Sequence, residues 1–132
     1  MKIMLCFDNS EEAKHALTET GKRAKAFGGK IVVVTSVIED ERLYPKKMVP
    51  HEEGLEEAKR FFDERQIPCE VKLSFRNVDT EAGEDLLMLA ELENIDELVV
   101  GITKRSKLGK MLMGSVAQFL ILKSNCPVLC VK

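Results

Sequence analysis

Ile31-Val-Val-Val-Thr-Ser-Val-Ile38 is the stretch on which the fold turns, because all but Ser36 are β-branched and the run does not alternate with polar residues. A strand with one wet face alternates, whereas a continuous run belongs to a strand covered on both faces, the usual situation in parallel sheets. The segments on either side agree. Upstream, Gly28-Gly29 closes a helical pattern built on Ala13, Ala16, Leu17, Thr20, Ala24 and Phe27. That helix starts at Ser10, a capping residue, and Glu11 and Glu12 suit the positive end of its dipole. Before it, Lys2 to Phe7 is a short apolar run, read as the first strand. Downstream, EDERLYPKKMVP is a polar connection from Glu39 to Pro50, with Pro45 and Pro50 as breakers.

The rest of the 132-residue chain keeps the same rhythm. Leu55, Ala58, Phe61 and Phe62 mark a second helix ending near Arg65, and Cys69 to Phe75 reads as a strand. Thr80 is placed to cap a third helix running to about Glu93. Glu97 to Gly101 is a strand, Ser115 to Lys123 a helix, and Pro127 to Val131 a final strand. Alternating strands and helices with right-handed crossovers predict a single-domain α/β fold, residues 1–132, with a doubly wound parallel sheet and helices on both faces.

Composition narrows the function. A net charge of −2 gives no general attraction to nucleic acid or anionic membranes. The apolar runs fall far short of the roughly 20 residues a membrane span needs. MKIMLCFD lacks a signal-peptide layout, so a cytoplasmic location is expected. Cys6, Cys69, Cys126 and Cys130 show no metal-ligand spacing, and no metal site is expected. Extended chain would hold Cys126 and Cys130 about 13 Å apart, too far for a local disulfide. His15 reads as a surface or half-buried residue and His51 as a neutral group at a helix start. Seven acids and no base between Glu81 and Glu97 read as one solvated helix face.

Ligands of doubly wound sheets sit at the carboxyl ends of the strands, where the winding reverses. Two sequences fall there: Phe7-Asp8-Asn9, and GITKRSKLGKMLMGS from Gly101 to Ser115, with four cations and no acid. Gly114-Ser115 opens a helix, where free backbone amides attract an anion and glycine permits close approach. The same features also fit a solvated basic loop followed by an ordinary helix start.

The first strand with FDNSEEAKHAL, the middle strand ending TSVIED, and VVGITKRSKLGKMLMGSVAQFLILKSNCPVLCVK together resemble the universal stress protein family over nearly the whole chain. The resemblance implies a sheet order of 3-2-1-4-5 and, in the nucleotide-binding branch, a G-x2-G-x9-G-[S/T] motif. Gly101, Gly114 and Ser115 match it; Lys104 stands at its second glycine. By the same resemblance Asp8 and Val37 lie near the adenine, Gly101 near the ribose, and Gly114, Ser115 and Val116 around the phosphates. Lys104 either obstructs the phosphates or adds a charge beside them. ATP or AMP is the implied ligand, with Mg2+ only alongside ATP. Pairing of the C-terminal edge strand, Pro127 to Val131, implies a homodimer acting in stress response or signalling. The alternative is an interaction module whose pocket Lys104 closes. No catalytic set is recognisable, so at most slow nucleotide hydrolysis is expected.

Overall fold

The computed structural model describes residues 1–40, 46–103 and 113–132. Among the described residues nine elements alternate strictly: β1 (Lys2–Cys6), α1 (Glu11–Phe27), β2 (Lys30–Ile38), α2 (Val49–Glu64), β3 (Cys69–Arg76), α3 (Ala82–Leu92), β4 (Glu97–Gly101), α4 (Ser115–Lys123) and β5 (Val128–Val131). The strands form one parallel sheet in the order β3-β2-β1-β4-β5. Sheet order and strand direction are those expected above.

Strand periodicity divides the interior into two layers. Ile3, Leu5, Ile31, Val33 and Val99 face one side and meet Ala13, Ala16 and Ala24 of α1 and Leu55, Ala58 and Phe62 of α2. Met4, Val32, Val34, Leu98 and Val100 face the other and meet Leu86 and Ala90 of α3 and Ala117 and Leu120 of α4. The run from Ile31 to Val34 is fully buried because successive side chains enter different layers. The helices change sides between α2 and α3, so β1 and β4 flank the reversal.

Local signals explain most boundaries. Ser10 caps α1 by accepting from Ala13 N at 3.1 Å, and Gly28 ends it in the left-handed conformation at φ 70. Two boundaries depart from the sequence expectation. Pro50 does not break the chain but lies in the first turn of α2, where a missing N–H costs nothing. Thr80 does not cap α3; its N–H donates to Asn77 O, and Glu81 takes the cap position without a side-chain bond.

The acids between Glu81 and Glu97 are likewise not one solvated face. Asp85 is buried and accepts from Ser36 and Ser74, with Arg76 donating to Ser36 Oγ at 2.9 Å. Glu97 is buried and receives both Arg23 Nε and Nη2. Glu93 is clasped by Lys2 and Lys72, which hold its carboxyl down to about 2, the Lys2 hydrogen bond contributing most. The acid run thus supplies sheet-facing partners for cations on β1, β3 and α1.

Candidate functional site

A cavity of about 290 Å³ opens at the carboxyl ends of β1, β2 and β4. Its floor is the tip of β1, where Phe7 N donates to Val34 O and Thr35 Oγ1 returns a 2.8 Å bond to Phe7 O. Asp8 borders the cavity, exposed, and accepts from Ser10 N at 3.0 Å in a local turn that carries the chain into α1. Ser10 and Glu12 form the α1 wall, Ser36 and His51 the wall towards α2, and Ala82 and Leu86 the α3 wall.

The α4 wall differs in kind. Gly114 is its N-cap, with extended backbone at φ −63 and ψ 160 and no side-chain cap bond. The first helix amides, from Ser115 onward, have no intrahelical acceptor, and Gly114, Ser115, Val116 and Ala117 all border the cavity. Such a terminus carries partial positive charge and outward-facing donors.

The two motif glycines owe their identity to different causes. A Cβ on Gly101 would sit 2.6 Å from Glu12 C and 2.7 Å from Glu12 O, so α1 can pack on β4 only if that position is bare. Gly114 has an unstrained φ, and a Cβ there would meet nothing within 4 Å among the described residues. None of the described residues requires glycine at 114.

Among the residues named from the sequence, the structure brings Asp8, Gly101, Gly114, Ser115 and Val116 to this one cavity. Val37 is buried and does not border it; it pairs with Phe75 on the Val33 side of β2, and the last β2 residue to reach the cavity is Ser36. Lys104 lies outside the described residues, as do the other cations of its loop. Sequence reasoning missed Thr35, Ser36 and His51. His51 was expected to act as a helix-start group; instead it makes no cap bond, borders the cavity, and leaves its buried Nδ1 without a hydrogen-bond partner among the described residues. The usable signal was Pro50, whose place in a first turn puts the next residue on the helix end facing the strand tips.

Cys6 also reaches the cavity, but burial, with lesser contributions from Asp8 and Cys126, pushes its thiol up to about 12. It is not a nucleophile. His15 is exposed, with Nδ1 3.1 Å from Lys132 O and no part in the site. No helix among the described residues is long and apolar enough to cross a membrane.

A parallel doubly wound sheet with a cavity at its switch point and a helix N-terminus opening into it defines an α/β protein of the doubly wound class. The universal stress protein family model matches residues 1–132, and the chain belongs to that family. A universal stress protein of Mycolicibacterium smegmatis is 41% identical over 66 residues, which are 50% of this chain and 48% of that relative, so the chain spans about half the relative's length. The universal stress protein structure from Archaeoglobus fulgidus superposes with a TM-score of 0.89 at 31% identity, covering 100% of this chain and 98% of that one. A structure of the universal stress protein from Archaeoglobus fulgidus in complex with dAMP gives 0.82 at 27% identity, with the same coverage.

Proposed function

We propose that this protein binds an adenine nucleotide in the switch-point cavity and reports its occupancy to partner proteins in a stress-related response. The observation that carries the reading is Gly114: an uncapped helix start, bare without conformational need, whose amides open onto a cavity. The phosphate sits on those amides, the ribose passes Gly101, and Asp8 accepts from a sugar hydroxyl or base amine. The similar structure that holds dAMP supports a nucleotide of this class. Mg2+ is needed only with ATP, carried by the triphosphate. The proposed activity is binding, with at most slow hydrolysis of the bound nucleotide.

The assembly is a cytoplasmic homodimer formed through β5. That strand is an edge, its four residues are only half-buried, and Leu122 on the neighbouring α4 is 78% exposed. An open edge beside apolar surface favours pairing with a copy of itself.

Mass spectrometry of small molecules released from the purified chain, with thermal shift against ATP, ADP and AMP, tests the binding. Release of an adenine nucleotide and a positive shift are expected. No release and no shift would leave an interaction module with a closed pocket.

A further inference from the structure

The β1–α1 connection and the start of α2 are locked together. Asn9 occupies the left-handed region at φ 67, and its Nδ2 donates to Pro50 O at 3.0 Å. One turn on, buried Gly54 leaves the space that the Asn9 side chain fills; a Cβ on Gly54 would lie 1.9 Å from Asn9 Oδ1. The first turn of α2 is therefore held beside the cavity, and the residue it contributes to the cavity is His51.

Within this half of the site the hydroxyls are already committed. Thr35 donates to Phe7 O, and Ser36 donates to Asp85 while accepting from Arg76. His51 is different: half-buried, with Nδ1 sheltered and unpaired among the described residues. A buried N–H without an acceptor is rarer and more costly than a bare lone pair. With Nδ1 left bare, the ring proton belongs on Nε2, the other ring nitrogen.

We propose that His51 presents Nε2–H to the cavity as a donor to an acceptor atom on the ligand's base, and that Asn9 and Gly54 hold it there. The proposal rests on the nucleotide reading above and adds a specificity-determining contact to it. Position supports the base rather than the phosphate. β2, which precedes α2, and β4, which leads to α4, lie on opposite sides of β1. At about 4.8 Å per strand spacing they are roughly 10 Å apart. A ligand with its phosphate on α4 meets His51 through its other end.

Calorimetric titration of the full chain with AMP and with ribose 5-phosphate, which lacks the base, tests this. His51→Leu should weaken AMP about 5- to 10-fold, the worth of one hydrogen bond, and leave ribose 5-phosphate unchanged. His51→Gln, whose amide carries a donor near the Nε2 position, should recover most of that loss. Nitrogen-15 spectra of the wild-type histidines should show His51 protonated on Nε2, with a shift on adding AMP and none on adding ribose 5-phosphate. Equal weakening of both ligands in His51→Leu, unaltered AMP binding, or a ring protonated on Nδ1 would overturn the assignment while the nucleotide site stood. A wild type that bound neither ligand would bring down both readings.

Discussion

The two ends of the sheet satisfy their polar groups in opposite ways. At the amino ends of the strands each acid described above has its cation: Arg23 on Glu97, Lys2 and Lys72 on Glu93, with Asp96 accepting from Lys2 N at 2.7 Å. At the carboxyl ends, among the described residues, α4 begins without a side-chain cap bond, His51 keeps an unpaired nitrogen and a Cβ on Gly114 would meet nothing within 4 Å. Closed bookkeeping at one end contributes stability. Open valence at the other is what a ligand would close, and it is tolerated because the rest of the sheet supplies the stability it forgoes.

The sharpest way to break this contrast is to damage the closed end. Arg23→Ala leaves Glu97, 5% exposed, without its bidentate partner. An unpaired buried carboxylate costs about 3 kcal/mol, the low end of the range because the Arg23 side of the pair reaches solvent. Urea unfolding should show that loss, while the AMP affinity of the folded fraction stays at the wild-type value. A matching loss of affinity would mean that the two ends are coupled.

The paired glycines divide stability from binding within the open end itself. Gly101→Ala drives a methyl into the α1 backbone at Glu12 and Ala13, and should cost about 2 kcal/mol in unfolding experiments. Gly114→Ala should change stability by less than about 1 kcal/mol, a weaker cap offset by a stiffer unfolded chain. Its effect belongs in the titration: AMP affinity should fall at least tenfold as the methyl occupies the approach to the amides. If Gly114→Ala lost stability and kept affinity, the phosphate would not sit there.

The contrast also explains what could be read from the sequence. Strand order followed from the family resemblance, and the covered strand from Ile31 to Ile38 showed in its unbroken β-branched run. Motif glycines and Asp8 were legible because short-range sequence rules govern helix starts and strand tips. His51 was not, since its place depends on Asn9 reaching Pro50 across 41 residues, a contact that leaves no local pattern. Asp85 and Glu97 were read as solvated for the same reason: their partners lie on other elements. Val37 lies one step past Ser36, and one step along a strand moves a side chain to the opposite layer.

The smallest expected effect tests the closed end by pH. Glu93 titrates at about 2 in the folded chain instead of about 4.5, chiefly through its hydrogen bonds to Lys2 and then Lys72. A depressed carboxyl contributes stability at pH values above its unfolded titration point and loses it as acid protonates the folded form. Wild type should therefore exceed Glu93→Gln in stability at neutral pH, with the gap narrowing from about pH 4.5 downward and vanishing near pH 2. Because the group is reached by solvent, added salt should shrink the neutral-pH gap as well. The Gly114→Ala variant, altered only at the open end, should track wild type through the same acid range. A gap between Glu93→Gln and wild type that ignored both pH and salt would show that packing, not charge, secures that end of the sheet.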